Sequence, residues 1–282
     1  MIRRSFHLAL YSSPLLAWMI VCVILPISYL FIISFWSVQG PNIVASWNLD
    51  NYRIFFENPV YWKLFIRTIN TALLIASLSV LITYPVAYFI SRKVKKFRAE
   101  LFLLFIIPLW MSYLIRIFSW KTILDREGLI NYFLMSIKVI HEPIETLLYS
   151  NFSVTIALLH ISLPYAFLPI YTALENIPTR LTEASKDLGA GNQTTFWRIV
   201  FPLSLPGVVA GFSLPFVMVL GDYLTPSLLG SPSSIFFGNT IVNQFGRTFN
   251  WPLGAALGFI LFAAVLLILV TFSKLGSRKG YF

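Results

Sequence analysis

Two charged side chains stand inside stretches of the sequence that are otherwise apolar. Asp222 lies at the end of one stretch, in "LGDYLTPSLLG", and Arg116 lies near the end of another, in "PLWMSYLIRIFSW". A charge in such surroundings is costly and marks a candidate functional site. Either the two side chains form an ion pair, which offsets both desolvation costs, or Asp222 meets a cationic solute. The residues alone leave both alternatives open.

Aromatic side chains accompany the arginine along its stretch. Four side chains recur at spacings of three and four residues, which place them on one face of a continuous helix: Trp110, Tyr113, Ile117 and Trp120. The face of an aromatic ring attracts an ammonium group by about 0.5–2 kcal/mol. Together with Tyr223 beside Asp222, this stripe is either a path for a cation or ordinary packing between helices.

A third polar feature is segment 178–202, which includes "EASKDLGAGNQTTFWRIVFP" and lies between two apolar stretches. Pro178 suits the first turn of a helix and Gly189 suits the left-handed position after the last turn, so a helix is predicted between them. Asn192 is predicted to cap a second short helix that Pro202 ends. Helices this short are marginal alone in water. We therefore expect this 178–202 hairpin to dock on a partner.

The composition predicts the elements that hold these residues. Of 282 residues, 57% are hydrophobic and 11% are charged, whereas soluble domains average about 25% charged residues. Six stretches have the length and apolarity of a membrane-spanning helix, about 20 residues: 14–36, 68–90, 101–120, 152–174, 203–224 and 253–273. The predicted fold class is an all-α integral membrane protein with six transmembrane helices.

The distribution of basic residues predicts the orientation. If both termini are cytoplasmic, 13 Lys and Arg residues fall on the cytoplasmic side and 7 fall outside, while Arg116 lies within a span. The densest group, in "SRKVKKFRAE", is then a short inside loop, as the positive-inside rule requires. The external loops 37–67, 121–151 and 225–252 are long enough to contain short surface helices. The 178–202 hairpin is predicted to be cytoplasmic.

Several classes of function are excluded by what the sequence lacks. The single cysteine, Cys22, excludes a disulfide framework and a metal site built on cysteine pairs, so no metal is expected. None of the 14 glycines precedes a lysine, so there is no GxxxxGK loop to hold ATP. The net charge of +10 comes from basic residues at the ends of apolar runs, which is typical of membrane topology and not of a nucleic-acid site.

The 178–202 hairpin resembles the EAA loop of type I ABC importer permeases. That loop reads Glu-Ala-Ala, three residues, Gly, nine residues, then Ile-x-Leu-Pro. The matching positions, with Ser185 in place of the second alanine, are Glu183, Ala184, Ser185, Gly189, Ile199 and Pro202. Phe201 replaces the leucine, and both replacements preserve size or apolarity. The resemblance implies that this loop is a coupling helix seated in a groove of the ATPase subunit. A plain amphipathic interfacial hairpin is the alternative.

Other stretches resemble the spermidine/putrescine permeases within this family. They are "PLWMSYLIRIFSWKTIL", "GDYLTPSLLG" and "FFGNTIVNQFGRTFNWPLGAALG", and with the EAA loop the resemblance covers about residues 10–275. It implies a cavity of aromatic and acidic residues for a linear polycation. The residues expected to line this pathway are Trp110, Tyr113, Trp120, Asp222 and Tyr223.

The family resemblance also implies the domain organisation and the partners. Residues 1–64 are expected to hold the N-terminal tail, first transmembrane helix and external loop; 65–273 form the type-1 transmembrane domain; and 274–282 form a cytoplasmic tail. The implied partners are an ABC ATPase dimer, a second homologous permease subunit, a periplasmic polyamine-binding protein and membrane lipid in a bacterial inner membrane. The chain itself would not be an enzyme and would carry no cofactor, because ATP-Mg binds the partner ATPase.

Two rival functions remain at this stage. A secondary transporter or channel driven by an ion gradient is expected to carry buried carboxylates in several spans, and this chain has one. A type I permease for another solute, such as an anion, iron, thiamine or an opine, would use the same scaffold. An anion would be bound by Arg116 and helix N-termini instead of Asp222.

Overall fold

The computed structural model describes residue 14 and residues 18–277. Almost all the regular structure in this part of the chain is helical. The helices, in chain order, are α1 (Ile20–Ile33), α2 (Asp50–Glu57), α3 (Pro59–Arg92), α4 (Arg98–Ile106), α5 (Tyr113–Leu124), α6 (Leu129–Ser136), α7 (Asn151–Glu175), α8 (Thr179–Asp187), α9 (Asn192–Leu220), α10 (Leu224–Leu229), α11 (Phe237–Gly246) and α12 (Trp251–Ser277).

Four of these helices are long and apolar enough to cross a membrane: α3, α7, α9 and the part of α12 up to Phe272. A spanning helix needs about 20 residues at a rise of about 1.5 Å each. They correspond to the predicted spans 68–90, 152–174, 203–224 and 253–273. Helix α1 is shorter, and part of the predicted span 14–36 lies outside the described residues. The count of six spans therefore stays a prediction.

The predicted span 101–120 is not one continuous helix. Helix α4 continues as a 3₁₀ turn, Ile107–Trp110, and the chain then bends by 96° before α5 begins. Pro108 lies in that turn, and Met111 and Ser112 have extended backbone, with ψ of 141° and 139°. Because proline removes a backbone donor and the next residues leave the helical region, the helix cannot continue. Trp110 and Tyr113 therefore do not share one continuous helical face.

Helices α7 and α9 pack closely because small residues lie at their contact. A Cβ atom built on Gly211 of α9 would lie 2.8 Å from the carbonyl oxygen of Ala166 on α7, and Gly207 one turn earlier is equally crowded. Glycines spaced by four residues allow helix backbones to approach in this way inside membranes. A buried cluster extends this core to α3 through Ala87 and Ile90.

The three predicted external loops contain short elements, as expected. Helix α2 lies in 37–67, α6 in 121–151, and α10 and α11 in 225–252. The first loop also contains an antiparallel hairpin of β1 (Ser37–Gln39) and β2 (Asn42–Val44), which is a small departure from the all-α prediction. Gly40 supplies the positive φ of 61° that this tight turn requires.

Contacts divide the chain into two compact units. The first contains the residues up to Trp62 and Thr240–Ala264, and within it Phe31 packs edge-on against Phe259 with ring centroids 5.1 Å apart. The second contains Lys63–Asn239 and the residues from Val265 onward. The second unit holds every candidate site residue that the sequence analysis named.

Candidate functional site

Asp222 lies in the turn between α9 and α10, where only 7% of it is exposed. Its Oδ1 accepts the backbone N–H groups of Leu224 at 2.9 Å and Thr225 at 3.2 Å. A carboxylate in this place satisfies N–H groups at the start of a helix that have no partner within it. The predicted span therefore ends at Leu220 instead of residue 224, and the Asp222 carboxylate is held in place by the start of α10.

The second carboxylate oxygen of Asp222 has a different environment. Oδ2 is buried and has no donor within hydrogen-bonding distance among the residues that the structure describes, although the hydroxyl groups of Thr225 and Tyr113 interact with the same carboxylate. Buried polar atoms in native proteins are nearly always paired, and an unpaired one requires an explanation. The hydrogen bonds to Oδ1 thus orient the Asp222 side chain, while Oδ2 keeps acceptor capacity that no described residue fills at hydrogen-bonding distance.

Tyr113 connects α5 to α10 beside this carboxylate. Its hydroxyl lies 3.0 Å from Oγ1 of Thr225, and either atom can donate the hydrogen bond. The hydroxyl is also close enough to the Asp222 carboxylate to interact with it electrostatically. Asp222, Tyr113 and Thr225 are named the Asp222 cluster. The first two are predicted from the sequence, whereas Thr225 is not, because nothing local distinguishes that threonine.

Arg116 is buried, with 5% of the residue exposed, and its guanidinium lies 5.6 Å from the centroid of the Tyr113 ring. The ion pairs found among residues 14 and 18–277 are Arg53–Glu57, Arg98–Glu175 and Arg126–Glu145. None joins Arg116 to Asp222, so the suggested structural pair is not formed in this structure. The Nε and Nη1 atoms of Arg116 are buried without a hydrogen-bond partner among the described residues.

The other pathway candidates are dispersed around this cluster. Trp120 donates from Nε1 to Nδ1 of His160 on α7 at 3.2 Å, so it joins two helices. Trp110 lies at the bend and is 78% exposed. Tyr223 is partly exposed, and its carbonyl oxygen accepts a hydrogen bond from Nδ2 of Asn239 at 2.8 Å. Asn239, a buried residue that the sequence analysis missed, thereby ties the turn after Asp222 to the start of α11.

The 178–202 hairpin has the predicted first helix. Helix α8 begins after Pro178 and ends at Asp187. Gly189 then adopts a φ of +82°. Its N–H bonds the carbonyl oxygen of Lys186 at 2.8 Å, and the N–H of Ala190 bonds that of Ser185 at 3.0 Å. This pair of bonds is the Schellman arrangement, which glycine favours because it lacks a Cβ atom.

The inner and outer faces of the hairpin differ. Ser185 is buried, and its hydroxyl lies 2.7 Å from that of Thr195, which the sequence analysis did not identify. Glu183 and Ala184 are exposed on the other face, and Leu188 is 88% exposed. The hydroxyl groups of Ser185 and Thr195 therefore join the two helices on the buried side of the hairpin, while the apolar side chain of Leu188 is exposed.

The predicted second short helix, capped by Asn192 and ended by Pro202, is wrong. The N-cap is Gly191, and α9 runs from Asn192 without interruption to Leu220. Residues Phe196–Val200 form a π turn in which the N–H of Phe201 bonds the carbonyl of Phe196. This wider turn rearranges the hydrogen bonds just before Pro202, which has no N–H to donate. Ile199 and Pro202 are partly buried along α9.

Arg92 and Arg98 contact the end of α7, just before the 178–202 hairpin begins. Nη2 of Arg92, the last residue of α3, donates to the carbonyl oxygens of Leu174 at 2.6 Å and Ile177 at 2.7 Å. Nη2 of Arg98 lies 3.2 Å from Oε1 of Glu175. From the sequence these cations are expected to reflect topology alone. In the structure Arg92 satisfies carbonyl groups at the end of α7, where cations are favourable, and Arg98 pairs with the Glu175 carboxylate.

Residues 84–275 match the family described as the binding-protein-dependent transport system inner membrane component. The spermidine/putrescine transport system permease protein PotB of Salmonella typhimurium is 35% identical over 270 residues, or 94% of this chain and 93% of that protein. PotB of Escherichia coli K12 is 32% identical over 269 residues, or 94% and 97%. The chain belongs to this family of inner-membrane transport components.

Solved structures show the same fold. A chain from the crystal structure of a bacterial ABC transporter involved in the import of the acidic polysaccharide alginate superposes with a TM-score of 0.73 at 19% identity, covering 98% of this chain and 97% of that one. A chain of an amino acid ABC transporter crystallised with histidines gives 0.52 at 16% identity, covering 82% and 97%. At these identities the likeness concerns the fold: this chain has the architecture of an ABC importer permease.

Proposed function

We propose that this chain is the permease subunit of an ATP-binding-cassette importer that carries polyamines, such as spermidine and putrescine, across a bacterial inner membrane. The observation that carries this proposal is the buried, unpaired Oδ2 of Asp222 in a chain whose relatives named as spermidine/putrescine permeases match it over nearly its whole length. A carboxylate oxygen is an acceptor suited to an ammonium group. The electrostatic gain is larger in a poorly hydrated site than in water.

The cation route is assigned to residues at and near the Asp222 cluster. The Tyr113 hydroxyl lies near the carboxylate, and Tyr223 follows Asp222 along the chain and is partly exposed. Trp110 is exposed at the bend, where it can contact a solute, and Trp120 forms part of the helix contact behind it. Each ring face attracts an ammonium group by about 0.5–2 kcal/mol. A linear polyamine has several ammonium groups, so spaced aromatic rings and one carboxylate can be engaged in turn.

The 178–202 hairpin is assigned to coupling. Its outward face, with Glu183, Ala184 and Leu188, would seat in a groove of an ABC ATPase, while Ser185 and Gly189 maintain its shape. Ile199 and Pro202 lie in the continuous α9, so a push on the hairpin passes directly into a spanning helix. The orientation proposed puts both termini and this hairpin in the cytoplasm, in agreement with the positive-inside rule.

The proposed mechanism is alternating access in an assembly of two ATPase subunits, this permease, a second homologous permease and a periplasmic polyamine-binding protein. ATP binding closes the ATPase dimer, and the hairpin transmits this movement to the spanning helices. The pathway then opens toward the docked binding protein and accepts the polyamine. Hydrolysis on the ATPase resets the permease and releases the solute inward. ATP-Mg binds the ATPase, so this chain supplies the route and the coupling and not the hydrolysis.

The test compares Asp222→Asn with the matched control Asp125→Asn in a reconstituted complex. Asparagine keeps an oxygen to cap α10 but removes the charge, whereas Asp125 is exposed on the link after α5. We expect uptake of labelled spermidine and putrescine to fall at least tenfold in Asp222→Asn with assembly intact, and to stay at the wild-type rate in Asp125→Asn. Wild-type uptake by Asp222→Asn would remove Asp222 from the route.

A second candidate function is the import of an anionic solute, and one observation favours it. Arg116 is buried with two guanidinium nitrogens unpaired among the described residues. In that case Arg116→Gln abolishes uptake and Asp222→Asn does not. Competition by unlabelled polyamines against unlabelled organic anions in the same vesicles separates the two functions without any variant.

A further inference from the structure

A cavity of about 520 Å³ lies where α3, the 93–98 turn and the 178–202 hairpin meet. This volume is within the range of about 300–1,000 Å³ that is typical of ligand pockets. Five cationic side chains line it: Arg92, Lys93, Lys95, Arg98 and Lys186. The one acidic residue in the lining is Glu183, and Glu175 is already paired with Arg98. The cations therefore exceed these carboxylates by three.

The backbone around this cavity also favours negative charge. The first turns of α8 and α9 both contribute to the lining, through Thr179 and Thr182 and through Asn192 and Thr195. Neither helix has a side-chain cap: the N-cap residues Pro178 and Gly191 accept no hydrogen bond through a side chain. Unpaired N–H groups at a helix start carry partial positive charge and bind anions.

The two arginines of the lining are not fully hydrogen-bonded within the described part of the chain. The Nε atoms of Arg92 and Arg98 are buried, and neither finds a hydrogen-bond acceptor among residues 14 and 18–277. The other end of the Arg92 guanidinium is already fixed on two carbonyl oxygens. The five cationic side chains therefore line one partly closed cavity. Their mutual repulsion costs free energy, which a bound anion would offset.

We propose that this cavity is a binding site for a phosphate group, a function separate from that of the Asp222 cluster. The cavity borders the coupling face of the hairpin and shares Glu183 with it. A phosphate presents several strong acceptor oxygens to forked guanidinium and ammonium donors, which suits this lining. The phosphate can belong to an anionic phospholipid headgroup or to a small soluble phosphate. The cavity lies between the end of α3 and the start of α9, and basic pockets between spanning helices bind phospholipid headgroups.

The experiment uses the full-length chain, purified in non-ionic detergent with the proteins that accompany it. Native mass spectrometry measures bound phosphatidylglycerol against phosphatidylcholine. In the variant Lys93→Gln/Lys95→Gln two of the three lysines of the lining are neutralised, and we expect the affinity for phosphatidylglycerol to fall about 25-fold, or about fivefold for each lysine. The control is Lys96→Gln, which removes one charge from the same turn and is compared with the loss for each lysine of the double variant. Lys96 lies outside the cavity lining, with Nζ 5.1 Å from the Phe97 ring centroid.

A second arm distinguishes the soluble source. Inorganic phosphate is titrated against chloride at equal ionic strength, and the midpoint of thermal unfolding is recorded. Phosphatidylglycerol preference that is lost in the double variant and kept in Lys96→Gln supports a headgroup site. A phosphate-specific rise in the wild-type midpoint, absent from the double variant and without any lipid preference, supports a soluble phosphate.

Three results would overturn the proposal. One is the absence of both the lipid preference and the phosphate effect in the wild-type protein. Another is a loss of about fivefold in Lys96→Gln, equal to the loss for each lysine of the double variant, because the effect would then be general surface charge. The third is that the double variant loses an accompanying protein while lipid and phosphate binding are unchanged, since the cavity would then receive a protein surface. If the double variant does not accumulate, Lys95→Gln alone is compared with Lys96→Gln in both measurements.

Discussion

The hydroxyl groups of Ser185 and Thr195 lie 2.7 Å apart inside the 178–202 hairpin, and both residues are buried. This contact joins α8 to the first turn of α9 across the Gly189 turn. A short hairpin of this kind has little stability of its own. The hydroxyl pair is thus one of the few interactions that fix the angle between the two helices.

Ser185→Ala should loosen the hairpin more than the double variant Ser185→Ala/Thr195→Val. The single change leaves a buried hydroxyl unpaired, at a cost of about 1–3 kcal/mol, whereas replacing both partners by apolar groups is nearly neutral. Amide hydrogen exchange measures the local opening, and about 1.4 kcal/mol corresponds to a tenfold faster exchange. Equal exchange in both variants would show that the hydroxyl pair contributes nothing to the closure.

Gly189→Ala should destabilise the end of α8 by about 1–2 kcal/mol, because a Cβ atom is unfavourable in the left-handed region. The cost is purely conformational, since a Cβ atom at Gly189 would meet nothing within 4 Å. Gly191→Ala is the matched control, with φ of −69° and equally open surroundings. We expect co-purification of the ATPase to weaken in Gly189→Ala and to remain in Gly191→Ala. An equal loss of the ATPase from both variants would mean that any added Cβ atom in this turn disturbs binding, so the positive φ of Gly189 would not be the cause.

Gly211→Ala should disturb the contact of α7 and α9. The new Cβ atom would lie 2.8 Å from the carbonyl oxygen of Ala166 and from a side-chain atom of Ile170. Overpacking of this kind costs about 1–3 kcal/mol. Gly258→Ala on α12 is the control, since nothing lies within 4 Å of the added atom. The midpoint of thermal unfolding of the purified protein should fall in Gly211→Ala alone, and an unchanged midpoint would contradict the close packing.

The features predicted correctly from the sequence are those encoded over short distances. The length and apolarity of α3, α7, α9 and α12 mark them as spans, and the stop of α8 follows from Gly189. The burial of Asp222 also follows, because its neighbours along the chain are apolar. In each case the residues that determine the structure are close together in the sequence.

The features that sequence reasoning missed depend on contacts between distant residues. Thr225 meets Tyr113 across 112 positions, and Arg92 reaches the carbonyl of Ile177 across 85. Pro108 is visible in the sequence, but a proline permits either a kinked helix or a full break, and tertiary packing decides between them. The continuation of α9 through Pro202 was also missed, because the π turn that precedes this proline has no reliable sequence signal.

Tyr113→Phe tests whether the Asp222 cluster contacts the solute through more than its carboxylate. The change removes the hydroxyl that contacts Thr225 and keeps the ring over which the Arg116 guanidinium lies. A hydrogen bond between this hydroxyl and the solute would be worth about 0.5–1.5 kcal/mol. Its loss should raise the KM for polyamine uptake about two- to tenfold while kcat changes little. The measurement is the concentration dependence of labelled spermidine uptake in reconstituted vesicles.

The matched control for Tyr113→Phe is Tyr132→Phe, which removes the same hydroxyl from an exposed position on α6. If both variants leave KM unchanged, the hydroxyl serves only to join α5 to α10. A fall in kcat with constant KM would instead indicate that the contact with Thr225 takes part in opening the route, because an interaction made only during the transition changes the rate and not the binding. A rise in KM in Tyr113→Phe but not in Tyr132→Phe would therefore show that the solute contacts the Tyr113 hydroxyl.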